Sequence, residues 1–210
     1  MSMIALLRTH LDRALGRFRD DQRGSLTIEF VLWVPVLSLW LIFSLMLYDA
    51  HETQNKATKT AYTISDIISR SSVLNEALLN EVFLLQDMLL PRASANKALR
   101  ITNVQCVIDP DASEEGCTYN VLWSVRRASE NFGEGFDILT EAENLPVNIF
   151  PVMQDQEEVL LVEQNVPYEP IVDWMGIDAR EWTVRVLTRT RYVTGLALST
   201  ELAAENAIVN

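Results

Sequence analysis

The sequence has few of the side chains on which catalysis and metal binding usually depend. It contains two histidines, His10 and His51, and two cysteines, Cys106 and Cys117. A Gly-x-Ser-x-Gly nucleophile motif, a glycine-rich phosphate loop and zinc-type ligand spacing are all absent from it. We therefore predict a protein that is not an enzyme and that uses no cofactor or metal. A hydrolase built on two carboxylates stays open, because acidic residues are abundant.

Positive charge is scarce after the amino-terminal segment. Residues 49–210 carry 12 basic and 25 acidic side chains, a net charge of −13. Such a surface repels phosphate backbones, so we predict no nucleic-acid partner. Residues 1–24, by contrast, carry five arginines and three aspartates.

Charge is absent altogether from Phe30 to Tyr48, a run of 19 residues. As a helix this run is roughly 28 Å long, which matches the hydrocarbon core of a bilayer. The run predicts a single membrane-spanning helix, with a buried helix of a soluble core as the alternative. Arginines precede the run and acidic residues follow it, which places the amino terminus in the cytoplasm and predicts that the acidic remainder is exported. The run is too long for a cleaved secretory signal.

The residues that lead into this run carry a resemblance. "RGSLTIEF", residues 23–30, followed by Pro35, resembles the processing site of type IV prepilins and is more particularly similar to TadE-like pseudopilins of tight-adherence (Flp) pilus systems. The resemblance implies that a prepilin peptidase cuts between Gly24 and Ser25. It also implies that Glu29, fifth after the cut, pairs with the new amine of Ser25 or of a neighbouring subunit. Phe30 completes the motif.

Two of these residues also have explanations that need no family. A helix that begins near Ser25 would favour the Glu29 carboxylate through the positive end of its dipole. Pro35 lacks the amide hydrogen that the carbonyl of Val31 would accept, so we expect a kink there.

The function that the resemblance implies is that of a minor pilin or pseudopilin in a pilus for surface adhesion and biofilm formation. Its expected partners are the prepilin peptidase, other pilins or pseudopilins, the Tad inner-membrane assembly platform and the lipid bilayer. The alternative is an uncleaved single-pass protein that anchors a periplasmic interaction domain. The expected place is the bacterial inner membrane, with incorporation into an extracellular pilus left open.

Residues 49–90 continue with helical spacing of apolar side chains, interrupted near "SRSS" at 69–72. The stripe consists of Ala57, Ala61, Ile64 and Ile68, then Leu74, Leu78, Val82, Leu85 and Leu89. It needs a cover, which is either the domain's own sheet or a helix of a partner subunit.

Strand patterns begin at Leu99. Alternation predicts a strand over Thr118–Arg126 with Tyr119, Val121, Trp123 and Val125 on one face. Its predicted partner, Leu99–Ile108, changes apolar phase midway, which indicates a bulge. Cys106 and Cys117 flank the turn between them, and in an oxidising compartment this spacing favours a disulfide.

Two further strands are predicted over Glu158–Val166 and Trp182–Val193, with Arg185, Arg189 and Arg191 on a solvated, ion-paired face. Residues 129–157 are predicted to be irregular, forming either a specificity loop or a lid over the sheet.

The predicted fold is α+β and pilin-like: a long amino-terminal helix, half transmembrane and half exported and amphipathic, packed on a small antiparallel sheet. The predicted segments are a cytoplasmic leader over 1–24, the span over 25–48, an exported helical region over 49–98, a periplasmic sheet domain over 99–195 and a tail over 196–210, helical or frayed.

Overall fold

The computed structural model describes residues 25–91, 96–108, 117–130, 132, 137–139, 145–170 and 179–205. The chain divides into two compact units, Met1–Tyr48 and Asp49–Asn210. The helices are α1 (Ser25–Ser69), α2 (Glu76–Leu89) and α3 (Thr200–Glu205), and a 3₁₀ turn covers Val147–Ile149. The strands are β1 (Val73–Leu74), β2 (Ala98–Val107), β3 (Thr118–Ala128), β4 (Glu158–Tyr168), β5 (Arg180–Thr188) and β6 (Ala197–Leu198). The architecture is therefore α+β, with a long apolar amino-terminal helix and a small antiparallel sheet.

Helix α1 is 45 residues long and continues without interruption across Pro35. Its polar side chains bond within the helix: the Ser38 hydroxyl donates to the carbonyl oxygen of Val34 at 2.7 Å, and the Ser44 hydroxyl to that of Trp40 at 2.9 Å. Hydroxyls that bond four residues back leave no polar group in need of water. This local pairing lets α1 carry serines inside an apolar stretch, while a bend at Pro35 stays a prediction.

The second half of α1 supplies one side of the domain core. Ala57, Ala61, Ile64 and Ile68, the part of the predicted stripe that lies on α1, have no exposed surface, whereas Leu89, the last residue of the stripe, is 40% exposed. Ile64 and Ile68 lie in one cluster with sheet residues of β2, β3 and β4, namely Leu99, Ile101, Val125, Leu160 and Val162. Burying each large apolar side chain contributes about 1.5–3 kcal/mol. Of the two covers considered for the stripe, the structure shows the domain's own sheet.

Helix α2 joins the same core after a short break. Helix α1 ends at Ser69, as the "SRSS" pattern predicts, and Asn75 then caps α2 by accepting from the amide of Leu78 at 2.8 Å. Leu79 and Val82 of α2 belong to the core cluster. We call the side of the sheet that α1 and α2 cover the helix face.

The main sheet has four antiparallel strands in the order β3-β2-β4-β5. A bulge does interrupt the β2–β3 pair, but its extra residue is Leu122 of β3, because Asn103 pairs with Trp123 and Val104 with Val121. Strand β2 itself pairs with β4 without any shift. The prediction that Tyr119, Val121, Trp123 and Val125 share one face is therefore wrong.

The apolar phase change in β2 has a different cause from the one predicted. Leu99 and Ile101 face the helices, whereas Val104 and Cys106 point to the opposite side, where a second core lies. That core is covered by residues from the irregular middle segment, namely Leu139, Leu145, Phe150 and Met153. We call this side the loop face. The described part of residues 129–157 thus includes a lid over the sheet, one of the two predicted alternatives.

The carboxyl-terminal part departs most from prediction. Strand β5 ends at Thr188 and not at Val193, so Arg189 and Arg191 lie beyond it. Strand β6 pairs in parallel with β1, and α3 follows. Leu196 and Leu202 both lie in the helix-face core, so the described part of the predicted tail, residues 196–205, belongs to the folded domain.

Candidate functional site: the amino-terminal helix and a charged row across the sheet

The predicted processing site is only partly within the described residues. Gly24 lies outside them, and Ser25 is the first residue of α1 as described. Glu29 follows on the same helix at an exposed position. Phe30 is 69% exposed. The structure therefore brings Ser25, Glu29, Phe30 and Pro35 onto one continuous helix, whereas cleavage and the charge partner of Glu29 stay predictions.

The first part of α1 presents an extended apolar surface. Phe30, Trp33 and Trp40 are each more than 60% exposed. The most apolar 18-residue window of α1 has a mean hydropathy of 2.4, and 6% of that window is buried. By length and composition, α1 is one helix that could cross a membrane. Apolar side chains exposed to this extent need lipid or another protein surface to cover them.

The two cysteines are joined, as predicted. Cys106 at the end of β2 and Cys117 just before β3 form a disulfide that joins the two strands, with their Cα atoms 5.4 Å apart. Cys106 is fully buried beside Met153 and Val159. The bond therefore ties the edge strand β3 to the loop-face core.

A row of four charged side chains crosses all four strands of the sheet. The register places Arg126 of β3 opposite Arg100 of β2, Arg100 opposite Glu163 of β4, and Glu163 opposite Arg185 of β5. Arg100 Nε donates to Glu163 Oε2 at 2.7 Å, and Arg185 Nε donates to Glu163 Oε1 at 2.9 Å. Both oxygens of the Glu163 carboxylate are therefore occupied by guanidinium donors.

The lid completes the row. The Arg100 guanidinium also donates to the carbonyl oxygen of Asp137, and Arg126 Nη1 lies 3.3 Å from the Asp137 carboxylate. Glu163 has no exposed surface, whereas the side chain of Arg185 is 45% exposed. A carboxylate held on both sides in this way is placed to fix strands and lid, and it presents no free oxygen for proton transfer.

Sequence reasoning placed the three predicted arginines correctly in ion pairs but not on one face. Arg185 pairs with the buried Glu163, Arg189 pairs with Glu157 beyond the strand end, and Arg191 pairs with Asp66 of α1. Arg100 and Glu163 were missed as candidates. The available signal was the polar run "EQN" in a strand whose other residues after Glu158 are apolar or aromatic.

Lys97 is a third residue that sequence reasoning missed. Its ammonium forms an ion pair with Asp87, donates to the carbonyl oxygen of Phe83 at 3.2 Å and lies 4.3 Å from the centre of the Phe83 ring. Burial lowers the pKa of Lys97 from 10.5 to about 8. These contacts attach the start of β2 to α2, and no sequence motif indicates them.

The searched residues contain no group of three or more histidine, cysteine or acidic side chains that could hold a metal ion. Comparisons of the chain with protein-family models, with curated proteins and with solved structures find no significant match. Two features of the chain therefore bear on its function: the motif at residues 23–30 and the exposed apolar part of α1.

Proposed function

We propose that this chain is a pseudopilin or minor pilin of a tight-adherence type, made with a leader that a prepilin peptidase removes between Gly24 and Ser25. One observation carries the proposal: the motif at residues 23–30 leads into α1, which runs from Ser25 to Ser69 as a single helix. Its first part is apolar and exposed, and its last part lies in the core of an α+β domain. A subunit held in a bilayer and later moved into a filament needs both parts.

The exposed apolar surface of α1 supports this role, because lipid or another apolar surface must cover it. In the proposal, lipid covers Phe30, Trp33 and Trp40 first, and the helices of neighbouring subunits cover them after assembly. Transfer between two apolar surroundings has little hydrophobic cost, so packing and polar pairs decide the position of each helix. A carboxylate among apolar neighbours is costly unless a cation pairs with it, so it favours the one helix position in which that pairing is possible.

Glu29 would supply that pairing. After cleavage the Ser25 amine is a cation four residues before Glu29 on the same helix. The amine of this chain or of a neighbour gives the carboxylate its partner and sets the register of adjacent helices. Residues 1–24 would stay in the cytoplasm, 25–48 would span the inner membrane, and the acidic remainder would lie in the periplasm and select other pilins or the assembly platform.

Intact mass and amino-terminal sequencing of the full chain from its native host, with and without the prepilin peptidase, test the proposal. We expect a chain that starts at Ser25 when the peptidase is present and the full-length chain when it is absent. Gly24→Leu should block processing, while Gly16→Leu in the same leader should leave it intact.

A chain that keeps residues 1–24 in both strains would overturn the proposal and favour an uncleaved, membrane-anchored interaction domain. If processing is confirmed, Glu29→Gln tests assembly: processing should remain, and recovery of the chain with sheared pili should fall.

A further inference from the structure

The domain has a groove at the end of the helix face that α1 and α2 do not cover. Its volume is about 430 Å³. One wall is the bulge of β3, with Leu122 and Trp123, and the other consists of residues 194–198 together with Thr200 and Ala203. Trp123 Nε1 donates to the carbonyl oxygen of Leu196 at 3.0 Å, which joins the two walls. The walls are mostly apolar.

The floor of this groove carries two hydrogen-bond acceptors. Glu158 and Asn103 both line it, and Asn103 Nδ2 donates to Glu158 Oε2 at 2.7 Å. Among the residues that the structure describes, no basic side chain pairs with Glu158. This contrasts with Glu163 and Glu157 on the same stretch of chain, each of which is paired with arginine.

The second acceptor receives no donor from the part of the chain that the structure describes. Asn103 is 1% exposed, and within that part its Oδ1 has no hydrogen-bond partner. A buried carbonyl oxygen left without a donor costs about 1–3 kcal/mol, and such groups are rare in folded proteins. The amide cannot simply be reversed, because its nitrogen is needed for the bond to Glu158. A donor that enters the groove and reaches Asn103 would satisfy its Oδ1 together with the Glu158 carboxylate.

Gly195 leaves room for the Glu158 carboxylate in the groove. A Cβ atom on Gly195 would overlap that carboxylate, so the absence of a side chain there lets it lie against the opposite wall. The hydrogen bond from Asn103 Nδ2 then holds the carboxylate in this position.

We infer that this groove binds a protonated primary amine on an aliphatic stem, supplied by a lysine side chain of a partner protein. The ammonium has donors and no acceptor, which complements two acceptors on different side chains. The apolar walls at Leu122 and Leu196 suit a stem of four methylenes. Because the groove is open to the surface, the stem can enter from a polypeptide that stays outside. The site does not depend on cleavage of the leader.

The test uses the full chain in lipid nanodiscs with ¹⁵N-labelled tryptophan. Each of the five tryptophans gives one indole signal, and Trp123→Phe identifies that of Trp123. The probe is Nα-acetyl-lysine-N-methylamide. We expect a saturable shift of the Trp123 signal, no such shift with the Nε-acetylated probe, and binding at least about tenfold weaker in Glu158→Gln, which loses a charge-assisted bond.

Glu201→Gln is the matched control, because Glu201 lies in α3 beside the groove but does not line it. It removes the same charge and should leave binding unchanged. A Trp123 signal that does not shift at about 50 mM probe would overturn the inference, since a dissociation constant above that concentration is too weak to hold a partner. Equal binding of the acetylated probe, or equal losses in the two variants, would also overturn it. Pentylamine that binds more tightly than the lysine probe would exclude a polypeptide as the source.

Discussion

Arg100 on β2 and Glu163 on β4 are directly opposite each other and form an ion pair in which the carboxylate has no exposed surface. A buried charge pair of this kind is costly to assemble from water, and it is much more costly to break on one side only. The pair links the two central strands of the sheet. Through Asp137 it also links them to the lid.

Glu163→Gln should destabilise the domain by about 3–5 kcal/mol, because it leaves the Arg100 guanidinium buried without its carboxylate. Arg185→Gln serves as the control: that side chain is 45% exposed, so the loss should be within about 1 kcal/mol. Thermal unfolding of the full chain in detergent, followed by near-ultraviolet circular dichroism, measures both. Equal losses of unfolding free energy in the two variants would contradict the conclusion that Glu163 stabilises the domain mainly by pairing with the buried Arg100.

Replacing both cysteines by alanine should lower the free energy of unfolding by about 3 kcal/mol, the loop-closure value for a link between residues 11 apart. Reductant should destabilise the native chain by a similar amount and leave the double variant unaffected. A double variant that remains sensitive to reductant would show that the effect has another origin. Chemical denaturation with and without reductant measures both arms.

The pH dependence of stability should carry a contribution from Lys97. Below pH 8 its ammonium is protonated in folded and unfolded chains alike, whereas between 8 and 10.5 the unfolded chain alone holds the proton. The free energy of unfolding therefore rises with pH across this window, by up to about 3 kcal/mol.

Lys97→Met should remove that rise while preserving the volume of the side chain. The quantity to measure is the difference between native and variant unfolding free energies from pH 7 to 10.5, since other groups titrate in both proteins. A difference that stays constant over this range would refute the role of Lys97.

Leu202→Ala should cost about 2–5 kcal/mol, because Leu202 is 1% exposed and lies in the helix-face core. Leu84→Ala, on a helix of the same domain but 60% exposed, should cost less than about 0.5 kcal/mol. Urea denaturation monitors the two variants side by side. Similar small losses would indicate that the carboxyl-terminal helix adds little to the fold.

The spacing of apolar residues was sufficient to predict the elements that depend only on residues close to one another in the sequence. The stripe of α1, the strand at Thr118 and the disulfide across its turn all follow from short-range patterns. The faces of β3 did not, because Leu122 is an extra residue that alternation cannot reveal. The change of apolar phase in β2 was likewise misinterpreted as a bulge in that strand. It arises because the helices cover one face of the sheet and the lid covers the other.

The candidate sites divide in the same way. The motif at residues 23–30 is contiguous, so the sequence alone presents it. Arg126, Arg100, Glu163 and Arg185 meet only through strand register, and Asn103 and Glu158 face Gly195 only because the chain returns from β5 to β6. Contacts between distant segments of this kind have no signature in a single sequence.

The contribution of Leu196 and Leu202 to the helix-face core also determines when that core can form. During synthesis Ile64 leaves the ribosome long before Leu202, which is made 138 residues later. Until then the apolar side of α1 has an incomplete cover and is a surface that chaperones bind. The nascent chain must therefore be protected from aggregation for most of its translation, and any passage through an export channel would have to occur before this core closes.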